Sequence, residues 1–189
     1  IKLEDNPWQI IPTNWVLEAQ NRWHEKKASG VIPGLRQIVL CGDIAQGGSD
    51  ATTLAPLLDD YVFDELERYP GSETPDGPAV AVRLLNARRH QSMIVLDGGG
   101  GWAGDTKRTL QTHYNIDATL FQPGTSNGDW CMALSLKFLN LRAAAWWKMR
   151  EALNPENRTG ICLPPNKRLE VQLTTVLWRP DGKMLKVES

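Results

Sequence analysis

The sequence is poor in the residues that most often carry chemistry. Its three cysteines, Cys41, Cys131 and Cys162, lie far apart, and none forms a CxxC pair. That argues against a redox pair and reads as reduced, structural thiols in a cytosolic protein. The three histidines, His24, His90 and His113, are equally scattered, so a zinc site has no ligand cluster to stand on. No apolar stretch approaches the ~20 residues that span a bilayer, and no signal peptide opens the chain. Neither GxGxxG nor GxxxxGK[ST] occurs, which leaves the four adjacent glycines Gly98 to Gly101 as a weak nucleotide signal. A GxSxG elbow and a Cys-His nucleophile pair are missing too. The net charge of −1 argues against a strongly basic DNA-coating protein.

What is present is a chain of 189 residues, 41% hydrophobic and 23% charged, which suits one globular domain with a real core. Ile1 is not an initiator methionine, which points to a piece of a longer protein. Charge is unevenly spread. Residues 1–136 hold 11 Lys and Arg against 17 Asp and Glu, whereas residues 137–189 hold 10 against 5. Carboxylates in front and cations behind suit a protein that handles phosphate backbones, although ordinary surface charge accounts for the same numbers.

Two stretches stand out. An apolar run, Ile38 to Cys41, delivers Asp43, with the glycine-rich turn Gly47 to Asp50 close behind. A second run, Met93 to Leu96, delivers Asp97 and then Gly98 to Gly101. Two buried strands thus each end on a carboxylate beside small residues. Converging carboxylates ligate Mg²⁺ or Mn²⁺, hard cations that favour oxygen. Two such ions about 3.5–4 Å apart support in-line phosphodiester displacement. Glycines beside both acids are expected to let a bulky backbone approach. Either aspartate alone is equally well read as a turn residue, and the paired pattern favours the metal. Asp50 is read as an ordinary turn residue or an outer-shell acid. Arg88, Arg89 and His90 end a helix, where cations complement its dipole. Lys137, Arg142, Lys148, Lys167 and Arg168 are candidate phosphate contacts, and Trp146-Trp147 is read as packing.

The remaining chain alternates strands and helices. Residues 1–12 have no clear period and read as a connecting segment, followed by a helix from Trp15 with Trp15, Ala19 and Trp23 on one face. Strands are expected over 52–58, with Pro56 at an edge or bulge, and over 118–121. Residues 61–68 read as a strand or a short helix. Helices are expected from Gly77-Pro78 to residue 88, over 102–114 and over 138–153. Alternation over 169–178 predicts a strand, and 179–182 a turn into a returning strand over 183–187. The pattern gives an α/β fold: a mixed β-sheet flanked by helices, with a C-terminal β-hairpin.

With these residues in view, the sequence resembles the C-terminal nuclease domain of the large terminase subunit of tailed bacteriophages and prophages. The resemblance runs through Ile11-Pro12, Trp15-Val16 and Ala19, then Gly42 to Ala45 with Gly47 to Asp50, then Val95 to Gly98. It continues in Asn140 to Ala143, Trp146, Arg150-Glu151, Leu169, Gln172-Leu173, Asp181 to Lys183 and Val187 to Ser189. It implies an RNase H-like fold and a two-metal endonuclease, with Mg²⁺ or Mn²⁺, that cuts double-stranded concatemeric viral DNA during packaging. Carried over by position, Asp43 and Asp97 match the first two metal-binding acids. Residues 1–34 match the end of the connection to an ATPase motor domain, and residues 35–189 the nuclease domain. Partners implied are DNA, that motor, the portal and the small terminase subunit, in the cytoplasm of the infected or lysogenic host. The family's third metal acid lies on a helix after the final hairpin, in a Ser-Pro-Asp, then Ala-Asp-Ala-Leu type of segment. This chain stops at Ser189 before one, so Glu188 is its nearest substitute. Other readings are a different RNase H-like nuclease or resolvase, or a non-catalytic module that docks on DNA or a portal.

Overall fold

The computed structural model describes residues 5–45, 47, 49–126 and 137–188; Cys131 lies outside the described residues. The chain divides into two compact units, Ser29–Gln122 and a second built from Ile1–Ala28 with Pro123–Ser189.

The first unit is a six-stranded mixed sheet with helices against it. Strands β1 (Gln37–Asp43) and β2 (Ala51–Leu58) form an antiparallel hairpin around the glycine-rich turn. Residues 61–68 contribute strand rather than helix: β3 (Val62–Phe63) and β4 (Glu67–Pro70) both pair with β2. Asp60 and Tyr61 both have positive φ, so only a short 3-10 turn at Asp59–Tyr61 precedes β3. Pro56 sits opposite the gap between β3 and β4. Its carbonyl accepts from the Asp64 N–H at 3.0 Å, so the side of its backbone without a donor faces the break in the ladder. On the other side of β1, strands β5 (Met93–Asp97) and β6 (Ala118–Phe121) add in parallel, giving the order β3-β2-β1-β5-β6.

Alternation along these strands fixes the two faces. Leu40 and Ile44 near β1, Leu54 on β2, and Ile94 and Leu96 on β5 point into one core. There they meet Val80, Ala81 and Leu84 of helix α2 (Gly77–Ala87) and Ala103 and Leu110 of α3 (Ala103–Tyr114). Helix α2 starts where Asp76 accepts from the Ala79 N–H at 2.9 Å, with Pro78 in its first turn. Period two then places Cys41, Asp43, Val95 and Asp97 on the opposite face of the sheet.

The second unit packs α1 (Thr13–Ala28), α4 (Leu141–Leu153) and α5 (Lys167–Thr174) with a three-stranded sheet. Its order is β7 (Lys137–Phe138), β9 (Met184–Glu188), β8 (Leu177–Asp181). Ile10 and Ile11 are fully buried in this unit, and the Ile10 N–H donates to the Val176 carbonyl at 3.0 Å. The hairpin forms as expected, with its turn two residues later than 179–182, at Gly182 and Lys183 between the paired Asp181 and Met184. Two expectations are corrected. Residues 167–174 are helical, not extended: Asn166 caps the helix by accepting from the Leu169 N–H at 3.0 Å. On that helix Leu169 and Leu173 share a face at i, i+4, and only residues 177–181 extend. Phe138 belongs to β7, and α4 begins at Leu141 behind the cap Asn140, whose Oδ1 accepts from the Ala143 N–H. Trp147 of α4 packs edge-on against Trp178 at 5.5 Å and beside Phe138 at 5.9 Å, so it serves the core.

Candidate metal centre

The parallel register of β1 and β5 pairs Gly42 with Leu96. Asp43 and Asp97 are therefore the next residues along two neighbouring strands, whose backbones run about 5 Å apart. Both leave the sheet at the ends of those strands and on the same face. The sheet thus brings together the two acids that the apolar runs singled out.

Their electrostatics follow from that placement. Asp43 is exposed to solvent, yet the atoms packed around its carboxyl partly desolvate it. Partial burial raises its carboxyl above the ordinary range, and the nearby charges of Asp97 and then Asp50 raise it further. Asp50 therefore stands close enough to be felt by Asp43. The Asp97 Oδ1 accepts from the Gly99 N–H at 2.8 Å, which restrains the carboxyl's orientation.

The donor set fits a hard divalent cation. It is oxygen only, two carboxylates share one face, and a cation would remove the repulsion that disfavours ionised Asp43. Among the described residues no group of three or more His, Cys, Asp and Glu side chains is placed to hold a metal. Glu188 lies in the other unit, on β9, where its carboxylate meets Arg179 Nε at 2.7 Å. Lys137, Arg142, Lys148, Lys167 and Arg168 are all in that unit as well. Lys167 pairs with Glu170, one helical turn away.

Among the glycines beside the acids, Gly42 answers to packing inside the unit. A Cβ on Gly42 would lie 3.0 Å from Leu96 Cδ2 and 3.2 Å from Ile44 Cδ1, so this glycine serves core packing. A Cβ on Gly98 would lie 2.7 Å from the Gln122 side chain. Gly101, with φ of 79°, has no neighbour within 4 Å of such an atom and stands open to solvent. Cys41, two residues before Asp43, has its thiol pKa pushed up by burial, as expected of an inert structural cysteine.

His90 has a structural task too. Its Nδ1 accepts from the Gln37 N–H at 3.0 Å, and the buried Gln37 side chain receives the Ser92 hydroxyl at 2.8 Å, tying the loop after α2 to the start of β1. Sequence reading missed one set of hydrogen bonds. The turn after Asp43 is gripped at Ala45 by the hydroxyls of Thr52 and Thr74, and at Asp50 by the Gly71 N–H. Single hydroxyls in a loop rich in proline, glycine and threonine carry no periodic signal that would have revealed it.

No protein-family model matches the chain, and no curated protein does. Solved structures do. The nuclease domain of the large terminase subunit gp2 of bacterial virus Sf6 superposes with a TM-score of 0.69 at 18% identity, over 95% of this chain and 87% of that one. A point mutant of that domain, with manganese and beta-thujaplicinol, matches with the same values. The large terminase nuclease from thermophilic phage G20c, with bound magnesium, matches with a TM-score of 0.54 at 14% identity, over 83% of this chain and 73% of that one. This likeness shows the fold, the RNase H-like one expected from the sequence.

Proposed function

We propose that this chain is a metal-dependent endonuclease for double-stranded DNA, the nuclease part of a terminase that cuts concatemeric viral genomes during packaging. The observation that carries the reading is the pairing of Asp43 and Asp97 at the ends of adjacent parallel strands, on the fold of terminase nuclease domains. Two of the neighbours hold manganese and magnesium respectively, which supports Mg²⁺ or Mn²⁺ here; two ions are the number that in-line phosphodiester displacement calls for.

Asp43 and Asp97 hold the ions through carboxylate oxygens. Ions held there would supply the activation of water and the stabilisation of the leaving oxygen that an in-line displacement needs. Asp97 is kept in register by the Gly99 N–H, and Asp50 acts as an outer-shell acid that adds negative potential beside Asp43. Lys137, Arg142, Lys167 and Arg168 contribute phosphate contacts from the basic unit. An ATPase motor, the portal and the small terminase subunit are the partners of the working assembly, in the cytoplasm of the bacterial host.

The test is plasmid cleavage with added Mn²⁺ or Mg²⁺. The parent chain is expected to cut duplex DNA with little sequence preference and to stop on chelation. Asp43→Ala and Asp97→Ala are each expected to slow cutting on the order of a hundredfold or more. Equal cutting by both variants rejects the site. Preference for four-way junctions over linear duplex replaces the terminase reading with a resolvase, and DNA binding without metal uptake replaces it with a docking module.

A further inference from the structure

The turn between β1 and β2 carries Asp43 at its start and Asp50 at its end, and a short segment from elsewhere in the unit holds both ends. Thr52 on β2 and Thr74, in the connection to α2, are fully buried polar residues. The Ala45 N–H donates to Thr52 Oγ1 at 3.1 Å, and the Ala45 carbonyl accepts from Thr74 Oγ1 at 3.1 Å. The two hydroxyls lie 3.0 Å apart. Ala45 is two residues beyond Asp43. At the other end the Gly71 N–H donates to the Asp50 carbonyl at 2.9 Å. Gly71 packs so tightly there that a Cβ would lie 2.4 Å from the Gly47 carbonyl oxygen and 2.7 Å from that of Asp50.

Residues 71–74 therefore touch the backbone at both ends of the acid-bearing turn and supply no acid to the cluster themselves. Buried hydroxyls are costly to place without partners, so three polar groups meeting at Ala45 fix one backbone path. A glycine-rich turn without such anchors would wander, and Asp43 on a wandering backbone would hold a cation with Asp97 poorly. We infer that the 71–74 segment is a clamp for the metal centre, and that Thr74 and Gly71 are positioning residues acting through the backbone at Ala45 and Asp50. The inference rests on the metal-dependent reading above.

Two readouts test it, amide hydrogen exchange at Ala45 and Mn²⁺ binding by calorimetry. Thr74→Val keeps the shape of the side chain and removes the hydroxyl. It is expected to speed exchange at the Ala45 amide and to weaken Mn²⁺ binding, each by about fivefold or more. Thr74→Ser restores the hydroxyl and is expected to stay within about twofold of the parent. Gly71→Ala reaches the same centre through Asp50, and it is expected to weaken Mn²⁺ binding with Thr74 intact. It is the variant to use if Thr74→Val does not fold.

Faster exchange with parental Mn²⁺ affinity would make Thr74 a structural residue only and overturn the inference. Parental affinity in both Thr74→Val and Gly71→Ala does the same. The nuclease reading fails separately: a parent isotherm identical to that of Asp43→Ala removes metal binding at the acids, and this inference with it. A parent that binds Mn²⁺ through Asp43 while Thr74→Val binds equally well removes the clamp alone.

Discussion

Asp43 is an acid held where its charge is unfavourable. Burial, Asp97 and Asp50 all raise its pKa, so the folded chain binds a proton there more readily than the unfolded chain does. The sign follows directly. The stability contributed by protonated Asp43 is fully present below the ordinary carboxylate range and is lost as pH rises through the raised folded value. At neutral pH without metal, Asp43→Asn is therefore expected to raise the melting temperature. The gain should shrink to nothing as pH falls below about 4, the usual range of an aspartate. A calorimetric melting series from pH 4 to 8 measures it, and a variant that melts lower than the parent at pH 8 contradicts it. Mn²⁺ should reverse the order, because the cation stabilises only a chain with ionised Asp43. The same raised value means that metal binding competes with a proton at a higher pH than an ordinary carboxylate would require.

Elements were legible where one period dominates. The runs Ile38 to Cys41 and Met93 to Leu96 are short, apolar and followed by an acid, and both became central parallel strands with the acids side by side. Residues 169–178 misled because Leu169, Val171, Leu173, Thr175 and Leu177 alternate as a strand would. Leu169 and Leu173 satisfy a helical face equally well, and the deciding signal was Asn166 before Lys167 and Arg168. If that cap selects helix over strand, Asn166→Ala should cost about 0.5–2 kcal/mol in denaturant unfolding of the unit that holds α5. A loss confined to a few tenths of a kcal/mol would mean that packing of Leu173 alone dictates the helix. The clamp was not legible for a related reason: Thr74 acts across 29 residues on one backbone group, and neither composition nor spacing marks such an interaction.

At the scale of the whole molecule, charge is divided as the fold is. The unit spanning residues 29–122 holds 7 basic and 12 acidic residues, Asp43 and Asp97 among them, while residues 137–189 are basic by 10 to 5. With a net charge of −1, the proposed phosphate binding has to come from a local surface, and the proposed metal-binding acids would repel DNA until a cation covered them. In metal-free buffer, then, the salt dependence of duplex binding should arise from the basic unit alone. Removing one cation that neutralises a phosphate should flatten the log–log slope by about 0.9, and replacing Lys137, Arg142, Lys167 and Arg168 together by alanine should flatten it by roughly 3–4. Lys167 is exposed and its pair with Glu170 adds little to stability, and circular dichroism of the quadruple variant checks that it folds. Fluorescence-polarisation titrations of a labelled duplex between about 50 and 200 mM salt give the slope, and an unchanged slope removes these four residues from the DNA interface. Adding Mn²⁺ should then tighten binding in the parent and in the quadruple variant but not in Asp43→Ala. That contrast separates what the acids contribute through metal from what the cations contribute through counterion release.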